Sequence, residues 1–579
     1  MDNKTIANVL FETADLLEID GQDSFRIRSY RNAAQAIENH SEQIKDIIAD
    51  PKKVLEISGI GKSMLRNLQE LLTEGKLATQ KELLEKYHPS MLQLLKIQGL
   101  GPKTIKLIWD AYQVSDVDGV EKLAREGKIR ELPRMGEKHE TKLLKAIEDY
   151  RRIGGRFLID AAEEEAEKLI AYLQKFSGID KITPAGSLRR GRESVGDLDI
   201  LVTGKVCSTE EGRQKAIDHV AKYPPLMDII ARGDNKISFH LRDGMQVDVR
   251  LLPPESFGAA MQYFTGSKAH NVTLRQRALK MGYTLNEYSL ATLEGEKPIA
   301  GKTEEEIYAK LNLDYIPPEM RENLGEIDLA EKHTLPKLIT QEDIQGDVHM
   351  HTVETDGKNT IEEMAEAAKE RGYKYMAITD HSKNLAFANG LDDKRAVEHI
   401  ARIHAAGKKI DGITIFAGIE VDILADGDLD LSDDVLAQMD LVIASVHTVF
   451  NQDQTERLLK AVSNPNTSIL GHPTGRMQLR RDAYKFDMLA VLQAAAKNKV
   501  AMELNAYPDR LDLNDVHLRQ AKQQGVKIVI NTDSHHTSHM EKIRYGILQA
   551  RRAWLTKDDV LNTLPTAKFA KAMKHQWTA

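Results

Sequence analysis

Apolar positions recur at helical spacing through the first stretch of the chain. Leu10, Ala14, Leu17 and Ile19 form its clearest run, so residues 1–150 are expected to be helical throughout. From residue 151 the pattern changes. Residues 159–176 read as a helix and 180–184 as a strand. Residues 237–241 and 245–251 read as a hairpin joined at Arg242-Asp243-Gly244. In its second arm Met245, Val247, Val249 and Leu251 alternate on a buried face, with Asp248 and Arg250 on the other. Between helix and hairpin, 185–201 is a turn of small and basic residues running into a strand. Leu198 and Ile200 of that strand point to a core, opposite Asp197 and Asp199. The polar, acidic stretch 319–340 reads as a linker with some local helix. Beyond it, apolar strands alternate with helices. Seven strands are expected, at 346–350, 375–379, 413–421, 441–446, 468–471, 500–504 and 526–531. That alternation argues for a parallel α/β architecture with chemistry at the carboxyl ends of the strands.

Composition bounds the reading without deciding it. A chain of 579 residues, 41% apolar and 29% charged, should hold several globular domains. A net charge of −8 gives no overall attraction to nucleic acid, so any such binding rests on local patches. A single cysteine, Cys207, excludes an intramolecular disulfide and suits a reducing compartment. The opening MDNKTIANVL lacks a signal-peptide pattern, and no apolar run approaches the roughly 20 residues of a membrane span. The expectation is a cytoplasmic protein without a membrane partner.

Three groups of residues point to chemistry. Gly59-Ile60-Gly61-Lys62 and Gly99-Leu100-Gly101 with Lys103 each open a helix. Such turns expose backbone N–H groups that hold phosphate, and a third copy around Gly136 is degraded. Asp197 and Asp199 share a strand face, roughly 6.7 Å apart along the chain. Two neighbouring carboxylates are costly without a cation between them. Gly186 and Ser187 just upstream, with Arg189 and Arg190, suit phosphate oxygens, and Asp248 can join from an adjacent strand. After 340, histidines and carboxylates recur at strand ends: His349, His351, Asp356, His381, Glu420, His447, His472, Asp533 and His535. This mixture suits zinc, manganese or iron, and nine such ligands are enough for up to three ions. His536, His539 and His575 have no role in this reading.

In order and spacing, the Gly186-Ser187 motif, the Asp197/Asp199 pair, Asp248 and the run Tyr263-Phe264-Thr265-Gly266-Ser267 resemble the family X DNA polymerases of the DNA polymerase beta type. The two Gly-x-Gly turns resemble helix-hairpin-helix motifs, which grip DNA backbone without reading sequence. Residues 341–575 resemble the polymerase and histidinol phosphatase (PHP) domain, with none of its nine ligand positions missing. Together they resemble a bacterial family X polymerase carrying a nuclease domain.

The resemblance implies a multidomain fold: a helical helix-hairpin-helix N-terminal region, an α+β nucleotidyltransferase palm, and a C-terminal seven-stranded α/β metal-dependent barrel. The expected domains are 1–80 (DNA-binding), 81–150 (fingers-like), 151–258 (palm), 259–318 (thumb-like, nucleotide selection), a linker at 319–340, and 341–579 (PHP). It implies that Asp197, Asp199 and Asp248 bind two magnesium ions. Gly186, Ser187, Arg190, Tyr263, Phe264, Gly266, Asn271 and Arg275 would face a deoxynucleoside triphosphate. Gly59, Gly61, Lys62, Gly99, Gly101 and Lys103 would hold gapped or primed DNA. The barrel would bind manganese or zinc and act as a 3′-5′ exonuclease, and a monomer is expected. Two departures stand out. Asn67 occupies the position of a Schiff-base lysine, which puts a lyase of that design in doubt. Gln246 stands where the family often has an arginine beside the third aspartate. Two other readings compete: a DNA-binding scaffold with vestigial sites, and a small-molecule phosphatase fused to a DNA-binding module. A further expectation is that the barrel also cleaves at abasic sites.

Overall fold

We describe the protein from a computed structural model. It describes all residues except 2, 39–43, 58, 89, 96, 98, 134, 154, 386–387 and 577–579. Ser58, Gln98 and Arg134 of the three glycine turns therefore lie outside the described residues. The chain forms two compact units, Met1–Gly155 and Arg156–Ala579.

The first unit is helical, built on one apolar core that includes Leu10, Ala14, Leu17 and Ile19. Its glycine turns are explained by that core. Ile60 and Leu100, the residues between the paired glycines, are buried, while Gly59 and Gly99 turn the chain at φ of 96° and 93°. Helices Lys62–Glu74 and Pro102–Tyr112 follow directly.

The second unit begins with a five-stranded mixed sheet. Helices Ile159–Leu173 and Glu210–Val220 cover one face, where Leu198, Ile200, Val202, Val247 and Val249 are buried. The strand Asp197–Thr203 pairs antiparallel with Lys181–Pro184 and parallel with Gln246–Leu252. On the opposite face Leu201 packs beneath helix Phe257–Thr265. Asp197 and Asp199 precede it on that face, where the cover ends. The edge strand Leu226–Arg232 is missing from the sequence reading. Its Met227, Ile229 and Ile230 are exposed, so no inside-outside alternation marks it.

Residues 319–340 depart from the expected linker. Met320, Ile327, Ala330 and Leu338 are buried in the core that also holds Leu274, Ile307 and Tyr308. The polar composition is accommodated by pairing. Fully buried Arg321 donates to Glu304 and to the Ile316 carbonyl, and Glu326 accepts from His270 at 2.7 Å.

The last region is a parallel barrel of seven strands in sequence order, with helices outside. All seven expected strands are present, the first and fifth cut to Gly346–Asp347 and Ile469–Leu470. Met376, Ile378, Val442 and Ala444 pack outward on the helices. The alternate residues Tyr375, Ala377, Phe416, Ile443 and Val529 fill the interior, which Phe569 closes by stacking on Tyr375 at 4.6 Å. Among the described residues no helix is long and apolar enough to cross a membrane.

Candidate active sites

The carboxylates of the mixed sheet come together through strand register. Asp199 pairs directly with Asp248, and Asp197 with Gln246. They form a gradient rather than the open row expected. Asp197 is exposed, Asp199 partly buried, and Asp248 only 6% exposed. Lys236, from the neighbouring strand, donates to Asp248 at 2.6 Å, and Arg250 lies 3.6 Å away. Gln246 makes a weaker contact at 3.4 Å, so the counter-charge comes from Lys236. Burial and the charges of Asp197 and Asp248 push the Asp199 carboxyl up to about 7. Burial works in the same direction on Asp248, but the Lys236 hydrogen bond and charge outweigh it and hold that carboxyl low.

The glycine of the upstream turn is required by this packing. Gly186 has φ of 59°, and a Cβ there would lie 2.4 Å from Asp199 Oδ2. Ser187 Oγ is buried without a hydrogen-bond partner, as a hydroxyl kept for a ligand would be. Arg190 is committed elsewhere: its guanidinium donates to the Thr265 carbonyl and pairs with Glu322 at 3.1 Å. It ties the turn to the Tyr263–Ser267 run instead of projecting freely. Phe264 lies edge-on to Tyr263 and beneath the Arg250 guanidinium, 4.1 Å from the ring centre, which links this run to Asp248. Asn271 accepts from Gln262 and donates to the Tyr263 carbonyl, each at 2.7 Å. Arg275 is exposed on the same helix, and Gly266 is buried against Arg190.

In the barrel, strand ends bring the nine expected ligands together. Three groups could each hold an ion: His351, Asp356, His381 and His535; His349, His351 and Asp533; and His381, Glu420 and His447. His472 stands outside these groups but places Nε2 2.9 Å from Glu420. Asp533 and His472 have left-handed backbones, φ 52° and 25°, a strained conformation for such residues that is common at functional sites. The donor set fits cations. His349 Nε2, His351 Nδ1, His472 Nδ1 and Glu420 Oε2 are buried with no hydrogen-bond partner, which would be costly without an ion. Despite burial, the charges of His447, His349 and His381 hold Glu420 well below the usual carboxylate range. Burial opposes the charge of His381, yet Glu420 and Asp356 raise it to about 10.

Two carboxylates behind the ligands escaped the sequence reading. Glu503, fully buried, accepts from His349 Nδ1 at 2.7 Å, Asn531 at 3.0 Å and the His472 N–H at 2.6 Å. Asp422 accepts from His447 Nδ1. Each fixes its imidazole so that Nε2 faces the ligand cluster, 3.4 and 3.3 Å from Glu420. A glutamate within the otherwise apolar run Val500–Leu504 was the available signal for Glu503.

In the first unit, Gly61 and Gly101 cap their helices without side-chain hydrogen bonds, with Lys62 and Lys103 exposed beside them. First-turn N–H groups stay open after Gly61, whereas after Gly101 Pro102 has none and Thr104 donates to the Gly101 carbonyl at 2.9 Å. Neither helix has an acidic residue in its first turn, whereas the degraded third copy carries Glu137 and Glu140 there. Asn67 donates to the Tyr30 hydroxyl at 2.8 Å and lines a cavity of about 240 Å³ with Arg26, Ser29, Ser63, Met64 and Thr79. No lysine lines that cavity among the described residues.

Comparison with known proteins follows the same division. Residues 1–77 match a helix-hairpin-helix domain and 91–149 a SAM-like helix-hairpin-helix tandem. Residues 260–322 match the DNA polymerase beta thumb and 347–559 the PHP domain. The DNA polymerase/3′-5′ exonuclease PolX of Bacillus subtilis (strain 168) is 37% identical over 567 residues, 97% of each chain. A probable phosphatase of Thermoanaerobacter sp. (strain X514) is 29% identical over 231 residues, 38% of this chain and 89% of its own. One of Shewanella sediminis (strain HAW-EB3) is 30% identical over 234 residues, 38% of this chain and 90% of its own.

Proposed function

Because the chain belongs to the bacterial family X DNA polymerases that carry a PHP domain, we propose that it adds deoxynucleotides to primed or gapped DNA and removes 3′-terminal nucleotides at its barrel. The observation that carries this reading is the pairing of Asp199 with Asp248 beside an unpartnered Ser187 hydroxyl, in one chain with a cluster of nine barrel ligands. A scaffold with vestigial sites would have no reason to keep both sets of groups.

For addition, Asp197, Asp199 and Asp248 would hold two magnesium ions, and Lys236 keeps Asp248 oriented and ionised. Gly186 and Ser187 meet the triphosphate, with Arg190 adding positive charge to the turn. Tyr263 and Phe264 face the sugar, Gly266 belongs to the same nucleotide-binding run, and Asn271 and Arg275 lie toward the nucleotide and template. For removal, the nine barrel ligands would hold up to three manganese or zinc ions, and Glu503 and Asp422 keep His349 and His447 in the ligating tautomer. When bound, such ions lower the pKa of an attacking hydroxyl or water and neutralise charge on the leaving group. The glycine turns hold DNA phosphates, so affinity should fall steeply with salt and vary little with sequence. Gap filling in base-excision or related repair, by a monomer in the cytoplasm, is the setting that suits these parts. The cavity at Asn67 offers no amine for a Schiff base, so we assign cleavage at abasic sites to the barrel.

The test is incubation with a gapped duplex, one nucleotide at a time, under magnesium and then manganese. Template-directed extension together with 3′ shortening is expected. Shortening without extension would leave a nuclease alone. Neither, together with hydrolysis of a small phosphate ester, would favour the phosphatase-fusion reading, and none of the three would favour the scaffold.

A further inference from the structure

The turn that carries Gly186, Ser187 and Arg190 is held from behind by the barrel. Helix Ile543–Arg552, which follows the ligands Asp533 and His535, lays three residues against it. Leu548 packs on Gly191, whose φ is 64° and whose added Cβ would lie 3.1 Å from the leucine Cβ. Gln549, fully buried, donates Nε2 to the Gly191 carbonyl at 2.7 Å. Arg552, with a side chain 2% exposed, donates Nη1 to the Arg190 carbonyl at 2.9 Å and to Glu322 at 3.0 Å. Its Nη2 reaches Asp515 at 2.7 Å. Glu322 also pairs with the Arg190 guanidinium, so a closed ring links the turn's backbone, its side chain, the thumb-like region and the barrel. Buried donors of this kind are costly to leave unpaired, so two adjacent carbonyls of the turn are fixed by the barrel helix.

We propose that Arg552 and Gln549 are positioning residues for nucleotide addition, through which the barrel sets the backbone of the Gly186–Gly191 turn. The proposal rests on reading that turn as the triphosphate-binding element. Neither residue belongs to the barrel's ligand cluster, so the helix can act on addition without acting on removal.

The test is steady-state addition of one nucleotide to a gapped duplex by the full chain carrying Arg552→Ala, Arg552→Lys or Gln549→Leu. Exonuclease rate is measured on the same preparations. Nucleotide KM should rise by about tenfold in Arg552→Ala and by less in Gln549→Leu, as expected for loss of one buried hydrogen bond or charge pair. kcat should change less, Arg552→Lys should recover part of the loss, and exonuclease rate should hold. Unchanged nucleotide KM in Gln549→Leu and Arg552→Lys would overturn the proposal. So would an equal fall in both activities, the sign of a merely structural role. If Arg552→Ala does not fold, as thermal melting would show, the other two variants carry the test. Asp197→Ala with Asp199→Ala serves as the control. Addition surviving in that control would sink the reading of the palm itself, whereas a dead control beside unchanged nucleotide KM in Gln549→Leu and Arg552→Lys would sink the positioning role alone.

Discussion

The two candidate sites balance charge in opposite ways. In the mixed sheet, three carboxylates converge with one close lysine partner, and Asp199 is pushed up to about 7 by burial and its acidic neighbours. In the barrel each carboxylate meets imidazole. Glu420 alone lies within 3.6 Å of His349, His351, His381, His447 and His472. The mixed-sheet site is graded from exposed Asp197 to buried Asp248, whereas His349, His351 and Glu420 are all nearly inaccessible. The contrast teaches that a site used by a succession of substrates can leave its charge unmet until a cation arrives with each one. The barrel site buries His349, His351 and Glu420 but leaves Asp356 and His535 about 30% exposed, a partial cage that would hold its ions longer.

The contrast is broken most directly by removing one set of ligands. Asp197→Ala with Asp199→Ala should cut nucleotide addition by on the order of a thousandfold and leave exonuclease rate unchanged. His349→Ala with His351→Ala should do the reverse. Loss of both activities in either double variant, in single-turnover assays, would show that the sites are not separable. Chelation sharpens the same comparison. After treatment with a chelator and gel filtration, addition should return on mixing with magnesium, while exonuclease activity should return slowly and require manganese or zinc. Simultaneous recovery would contradict the cage. Glu503→Gln or Asp422→Asn should lower exonuclease activity by ~10–100-fold while addition holds, since each carboxylate orients a ligating histidine.

The smallest expected effect is one of stability. Burial opposes ionisation of Glu304, but Arg321 and Arg189 pull its carboxyl down to about 2 from an ordinary 4.5. A depressed carboxyl contributes stability that is complete above the unfolded value and is lost as pH falls through the folded one. The difference in melting temperature between the parent and Glu304→Gln should therefore be constant above about pH 4.5 and shrink between there and about pH 2. A difference independent of pH would show that Glu304 acts by packing.

Much of the barrel is legible in the sequence because its signal is periodic. Six of the seven apolar strands end at an expected histidine or carboxylate, and parallel order leaves little choice in where those ends meet. What sits behind the ligands is less legible. Glu503 occupies a buried strand and is explained by His349 and the His472 N–H, partners far away in sequence. Lys236 lies two positions before Ser238, the residue paired with Asp248, so its contact depends on hairpin register. Residues 319–340 misled by composition, since charge usually marks a solvated stretch and here marks buried pairs such as Arg321 with Glu304. Arg190 was legible as a basic residue near phosphate, but its engagement with Thr265 and Glu322 follows from packing against a distant helix.

The barrel closes where its ligands lie. Met350 and Ser534 form the backbone bridge between the beginning and the end of the strand order, with Ser534 donating to the His349 carbonyl and His351 to the Ser534 carbonyl. His349 and His351 flank one side of this seam, Asp533 and His535 the other. An ion shared by His349, His351 and Asp533 would therefore also be a staple across the seam. Its binding free energy would be felt as resistance of the whole ring to opening. Stripped of metal, the protein should lose amide-exchange protection first at the two margins of that seam, well before the interior strands.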